Sequence, residues 1–172
     1  MARKRKTVRR STVRARAKKS QVRKGAVGAL SRRKPAVKSA AKPRRQHRFV
    51  VNHFRPEDFK SDGLRTYAQY RDLGIKDATG GMAVAHVIRM VGPCDPKVVS
   101  KEHLHEAEFQ MIYVLKGSMT SSFEGHGTHV MRAGDSWLQP HSIKHKVLDY
   151  SDDCEVLEIV MPANFKTVEL EK

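Results

Sequence analysis

The distribution of charge divides this 172-residue chain into two unlike parts. Residues 1–48 contain 20 Lys and Arg and no Asp or Glu, whereas residues 49–172 contain the other 14 basic residues and all 18 acidic ones, a net charge of 14 − 18 = −4. A segment that repels itself so strongly, with few large apolar side chains, cannot offset the entropy of ordering. We therefore predict a disordered basic tail at 1–48 and one folded body after it.

The composition excludes several classes of protein. No run approaches the ~20 apolar residues of a membrane span, and the N-terminus lacks the apolar stretch of a secretory signal. Cys94 and Cys154 are too few for a disulfide framework, so we expect two reduced thiols. The sequence thus predicts a soluble cytoplasmic protein.

The basic tail allows three interpretations. Its charge favours an arm that binds nucleic acid non-specifically through phosphates, which would also associate the protein with a nucleoid. An Arg-rich, acid-free start is also typical of organelle-targeting peptides, although the apolar stripe of such a helix is missing. The third interpretation is a solubilising tail without a dedicated partner. In composition, residues 34–43 resemble the tails of linker histones. The first basic residues are Arg3, Lys4, Arg5, Lys6, Arg9 and Arg10.

The body carries short apolar segments separated by Gly, Pro and Asp, and this spacing predicts an all-β sandwich or barrel. Residues 49–78 are rich in aromatic and charged residues, and we expect a short helix or an extended cover there. The barrel itself is predicted at 79–163, with 164–172 as a C-terminal extension. The predicted strands are 82–90, 109–115, 118–123, 128–132, 136–139, 144–148 and 155–161.

Two of the nine histidines, His103 and His105, stand two positions apart. On a strand such a pair projects to one face, because successive side chains alternate between faces. Two neutral imidazoles side by side are half of a transition-metal site. Gln110 is the one polar residue in the apolar segment that follows, and a buried amide needs a metal or a hydrogen-bonding partner.

The spacing of these residues resembles the first motif of the cupin family. That motif reads His-x-His, three or four residues, Glu, six residues, Gly. Here His103 and His105 are followed by Gln110 in the place of the Glu and by Gly117.

A second cupin motif reads Gly, five residues, Pro-x-Gly, two residues, His, three residues, Asn. Gly134, Pro140 and His145 match it, whereas Ser142 replaces the second Gly and Asp149 replaces the Asn. The serine suits this position only if its φ need not be positive. The resemblance covers about residues 80–162 and implies a double-stranded β-helix, the cupin or jelly-roll barrel.

The resemblance also implies a divalent transition metal, Fe, Mn, Ni or Zn, inside the barrel. Its ligands would be His103, His105 and His145, with Gln110 as the fourth ligand or as a residue outside the ligand set. A glutamine is neutral, so the metal would keep its full charge and favour a small anionic substrate.

Three further residues are candidates for the cavity wall, with a role in packing as the alternative. Gln139 and His141 flank Pro140 in the second motif, and His86 lies on a predicted strand. Cupin barrels often form homodimers through N-terminal strands and sheet edges, so residues 49–54 are predicted to cross to a partner.

Two functions follow from these observations. One is a metal-dependent small-molecule enzyme, of the dioxygenase, isomerase or lyase kind found among cupins. The other is a cupin that binds a small ligand without chemistry, with non-specific nucleic-acid association through the tail.

Overall fold

A computed structural model describes residues 46–170. Residues 1–45, and with them the cluster from Arg3 to Arg10, lie outside the described residues, as do residues 171–172. No helix within 46–170 is long and apolar enough to cross a membrane.

The described residues form ten strands and two one-turn helices, with a 3₁₀ turn at Pro56–Asp58. The helices are α1 Ile75–Ala78 and α2 Pro96–Val99. The strands are β1 Ala68–Asp72, β2 Val84–Met90, β3 His103–Glu106, β4 Phe109–Lys116, β5 Ser118–Phe123, β6 Gly127–Arg132, β7 Ser136–Leu138, β8 His145–Tyr150, β9 Glu155–Met161 and β10 Lys166–Glu169.

Two five-stranded antiparallel sheets contain all ten strands. Their orders are β1-β2-β9-β4-β7 and β10-β3-β8-β5-β6. The predicted all-β jelly-roll fold is confirmed. Each of the seven predicted strands overlaps an observed one, and β1 and β10 extend the sheets beyond the predicted barrel range of 79–163.

The core lies between the sheets and draws on both. Val99, Val114, Cys154 and Val160 are at most 1% exposed. On β4 the alternating burial turns Gln110, Ile112 and Val114 inward. Burying each such valine stabilises the fold by about 1.5–3 kcal/mol. Both cysteines are free thiols, and Cys154 is part of this core.

Two motif positions have backbone conformations in the left-handed region. Gly117 has φ 67°, and a Cβ there would overlap the Ser151 hydroxyl and lie 2.9 Å from the Cys154 Cα. Ser142 has φ 57°, so the condition under which a serine was expected to be tolerated here, a φ that is not positive, is not met. Its backbone N–H donates to the His105 carbonyl at 3.0 Å. This bond ties the loop before β8 to β3.

Residues 46–55 form no helix or strand and are exposed on this chain. Phe49 is 93% exposed and Phe54 61% exposed. The Arg48 backbone N–H donates to the Ala78 carbonyl at 2.8 Å, which fixes the start of the segment against α1. The homodimer predicted through residues 49–54 stays a prediction.

Candidate metal centre

Three histidines meet where β3 and β8 pair. His103 and His105 share the inward face of β3, and His145 opens β8 directly opposite His103 in the antiparallel register. The ring centroids of His103 and His145 are 4.2 Å apart. One nitrogen from each of the three rings lies within 4.8 Å of the others. The spacing on β3 and the register with β8 therefore create a three-nitrogen cluster.

Hydrogen bonds at Nδ1 orient these rings. His103 Nδ1 lies 2.9 Å from the Lys101 carbonyl oxygen, and His145 Nδ1 lies 3.0 Å from that of Ile143. A carbonyl only accepts, so Nδ1 carries the proton in both rings and Nε2 carries the lone pair, which in His145 faces Gln139 Nε2 at 3.0 Å. His105 Nδ1 is 2.9 Å from the Thr167 hydroxyl. Fixed tautomers of this kind are typical of metal-binding histidines.

The three imidazoles are neutral at physiological pH. Burial, followed by the charge of His145, lowers the pKa of His103 from 6.5 to about 3. Burial lowers the pKa of His105 to about 4, although the charge of Glu158 acts to raise it. Burial also lowers the pKa of His145. Metal binding requires unprotonated imidazoles. The donor set therefore fits a divalent transition metal without a proton having to leave at pH 7.

The predicted fourth ligand, Gln110, has both ends of its amide hydrogen-bonded. Its Oε1 accepts from Gln139 Nε2 at 2.9 Å, and its Nε2 donates to Glu158 Oε1 at 2.7 Å. The same Gln139 Nε2 is 3.0 Å from His145 Nε2. Gln110 thus links the histidine cluster to a carboxylate, and ligation by its carbonyl stays a prediction that requires Gln139 to move.

Glu158 is the residue that the sequence reasoning missed. It lies on β9 between His86 of β2 and Ile112 of β4, and its Oε2 is 2.6 Å from His86 Nε2. Burial acts to raise the pKa of Glu158, but the hydrogen bond and charge of His86 and the Gln110 amide outweigh it, and the pKa lies below its ordinary value. An ionised carboxylate therefore stands beside the cluster.

The sequence did hold a signal for Glu158. Glu158 is the one charged residue in the otherwise apolar segment 156–161, and Val156 and Val160 stand two positions to either side of it. Strand alternation puts a residue between two such neighbours on the inward face. A charged residue on the inward face of a strand, between apolar neighbours, is a candidate functional residue.

The cluster faces a cavity of about 390 Å³, a size typical of small-molecule sites. His86 and Gln139, two of the three predicted wall residues, line it together with Gln110 and Glu158. His141 does not line this cavity: it is exposed, and its Nδ1 lies 2.9 Å from the Ala107 carbonyl oxygen. The rest of the wall is mostly apolar. Its aromatic members are Tyr67, Tyr70, Phe123, Trp137 and Phe165.

Comparison with known proteins agrees with the two facing sheets. Residues 94–160 match the family described as cupin domain. The barrel has the cupin fold. No curated protein matches the chain.

Solved structures show the same fold. KdgF from Halomonas sp. is 19% identical with a TM-score of 0.51, and the match covers 66% of this chain and 96% of that one. The polyketide cyclase RemF from Streptomyces resistomycificus is 18% identical with a TM-score of 0.56, covering 72% and 87%. Oxalate decarboxylase from Bacillus subtilis is 18% identical with a TM-score of 0.52, covering 74% and 34%. At such identities the likeness is one of fold.

Proposed function

We propose that this cupin barrel is a metal-dependent enzyme acting on a small anionic molecule. His103, His105 and His145 hold the metal, and the observation that carries the proposal is their convergence as three neutral imidazoles with oriented rings. Imidazole donors suit Fe, Ni and Zn, and Mn is also compatible with a site that includes an oxygen donor. A bound divalent ion would supply a Lewis acid that polarises an oxygen of the substrate.

The chain supplies the other groups that such chemistry needs. Glu158 presents an ionised carboxylate to the cavity, and His86 and Gln110 hold both of its oxygens in place. We assign Glu158 the role of accepting a proton from the substrate. The apolar wall keeps bulk water away from the reacting atoms, which strengthens electrostatic interactions inside the cavity.

A second candidate function is binding without chemistry. The replacement of the usual glutamate by Gln110 favours it, because an amide is a weaker ligand than a carboxylate. The proposed nucleic-acid association of residues 1–48 is compatible with either function, since it depends on a separate part of the chain.

Metal analysis of the untagged full chain tests the metal site. Near-stoichiometric metal in the wild type should be lost in the double variant His103→Ala, His105→Ala. The matched control is His126→Ala, His129→Ala, since this pair is exposed and lies outside the cavity of the cluster. Circular dichroism checks that each variant is folded. Equal metal content in the two double variants would show that the cluster does not hold the metal.

Turnover separates the enzyme from the binding module. A screen of small carboxylic acids should find a substrate that the wild type converts, and Glu158→Gln should keep the metal while losing turnover by about 100-fold or more. Ligand binding without turnover in both the wild type and Gln110→Glu would favour the binding module.

A further inference from the structure

Arg65 is a buried cation that is only partly paired. It lies in the loop before β1, and its side chain is 12% exposed. Nη1 donates to Glu169 Oε1 at 2.7 Å. Nη2 is buried and has no hydrogen-bond acceptor among residues 46–170. Leaving a buried charged donor unpaired is costly, so the guanidinium has an open position for an anion.

The position of Arg65 brings its charge close to the histidine cluster. It lines the cavity, and its partner Glu169 on β10 pairs in register with His103 on β3. The charge of Arg65 is one cause, after burial, of the low pKa values of His103, His105 and His145.

The loop that carries Arg65 is held against the cavity wall. A Cβ at Gly63 would overlap the ring of Tyr70, so only glycine lets the chain pass this close to the ring. Tyr70 in turn stacks edge-on against His86, with ring centroids 5.4 Å apart. The guanidinium is therefore placed by a packed loop and not by a free surface side chain.

Within residues 46–170, the one carboxylate that lines the cavity, Glu158, already has hydrogen-bonding partners. Both oxygens of Glu158 are hydrogen-bonded, to His86 and to Gln110. Among the described residues, Arg65 is the only Lys or Arg that lines this cavity. The remaining wall is apolar and includes Ile88, Met90, Met119, Val147, Val156 and Phe165.

We propose that Arg65 binds the carboxylate of a small monocarboxylate whose apolar body packs against this wall. The proposal deepens the proposed function by naming its substrate class. A single guanidinium with one arm already on Glu169 matches a univalent anion better than a phosphate, which would bring more charge than one open arm can pair. A neutral amide of the same shape can still accept a hydrogen bond from Nη2, but it brings no negative charge to the guanidinium.

Intrinsic fluorescence reports on this cavity directly, because Trp137 is the only tryptophan of the chain and lines the wall. The probes are benzoate, benzamide as its neutral analogue, and acetate as a carboxylate without an apolar body. They are titrated into the full chain, once loaded with zinc and once treated with EDTA. In both states the wild type should bind benzoate about 10- to 100-fold more tightly than benzamide, the range for a hydrogen bond to a charged group. Acetate should bind more weakly than benzoate.

Variants distinguish an anion anchor from a structural ion pair. In the EDTA-treated protein Arg65→Gln should lose the preference for benzoate over benzamide, whereas Glu169→Gln should increase it, because the second guanidinium arm becomes free. A merely structural bridge would make both variants change in the same direction. Arg89→Gln is the matched control, since Arg89 pairs with Glu155 and lies over the Phe59 ring, outside the cavity. It should leave the preference unchanged.

The outcomes are separable from those for the metal. If the cluster holds no metal, the carboxylate preference of the EDTA-treated protein still tests Arg65 alone. The proposal is overturned if the wild type binds neither carboxylate or binds benzamide as tightly as benzoate. It is also overturned if folded Arg65→Gln keeps the preference, or if Arg65→Gln and Glu169→Gln shift it alike.

Discussion

Restoring the glutamate of the cupin motif at Gln110 would create a pair of buried carboxylates. Gln110 is 2% exposed, and its Nε2 donates to Glu158 Oε1 at 2.7 Å. An ionised glutamate at position 110 cannot donate this bond, and it adds a second negative charge at hydrogen-bond distance. We expect the metal-free Gln110→Glu protein to be less stable than the wild type at neutral pH.

The loss of stability has a limit because the pair can take up a proton. Losing a hydrogen bond to a charged group costs about 1.5–3 kcal/mol, to which the repulsion adds. Keeping one carboxyl protonated at pH 7, against an ordinary pKa of 4.5, costs about 3.4 kcal/mol, and the protonated carboxyl then donates to its neighbour. We therefore expect a loss of about 3 kcal/mol at pH 7.

The sign of the pH dependence follows from this proton. The folded pair binds a proton more tightly than the unfolded chain, so the penalty shrinks by about 1.4 kcal/mol for each pH unit below 7 and disappears near the unfolded pKa of 4.5. Urea unfolding in EDTA, between about pH 7.5 and pH 5, measures the difference between variant and wild type. Because the buried histidines are common to both proteins, their titration cancels in this difference.

A charge swap provides the control. The double variant Gln110→Glu, Glu158→Gln again contains one carboxylate and one amide at the two positions, so most of the stability lost at pH 7 should return. A Gln110→Glu protein as stable as the wild type over the whole pH range would refute the reasoning. So would a double variant no more stable than the single one.

Three other predictions concern different parts of the chain. In the metal-free folded protein His103 and His105 have pKa values of about 3 and 4, whereas the ordinary value of a histidine, as in the unfolded chain, is 6.5. Below pH 6.5 the unfolded chain therefore binds more protons than the folded protein. The free energy of unfolding should therefore fall by up to ~2.7 kcal/mol per pH unit between pH 6.5 and 4, measured by urea unfolding. Gly117→Ala should cost about 2–4 kcal/mol, and Gly134→Ala, with φ 98° and nothing within 4 Å of a new Cβ, only about 1–2 kcal/mol in the same assay. Deleting residues 1–48 should abolish a DNA binding that falls steeply with salt, measured by fluorescence anisotropy on unrelated sequences.

Seven strands were predictable from their apolar segments, and β3 was expected from its pair of histidines, but the edge strands β1 and β10 were not predicted. The predicted strands are bounded by residues such as Gly117 and Gly134, whose positive φ ends one strand before the next begins. By contrast, β1 and β10 are the outermost strands on one side of their sheets. They consist largely of polar and half-buried residues. Edge strands often carry charges that oppose aggregation, so they lack the apolar pattern by which strands are recognised.

The candidate site was predictable to the extent that it follows from local spacing. His103 and His105 share a face because they are two residues apart, and the cupin motif adds His145. Glu158 and Arg65 reach the cavity through pairings that span 48 residues to Gln110 and 104 residues to Glu169. The sequence around Glu158 indicates that it lies on a strand, but pairings over such distances have no local pattern, so the partners of Glu158 and Arg65 were not predictable.

The electrostatic consequence of Gln110 differs from the one that the sequence implied. From the sequence we expected a metal that keeps its full charge, because the residue at position 110 is neutral. The expected preference for an anionic substrate followed from that charge. In the structure the Gln110 amide donates a hydrogen bond to the Glu158 carboxylate. Position 110 is neutral, but the negative charge of Glu158 lies directly behind it. The preference for an anion must then come from the metal together with Arg65. If so, Arg65→Gln should weaken benzoate binding to the zinc-loaded protein, and removing the zinc with EDTA should weaken it further.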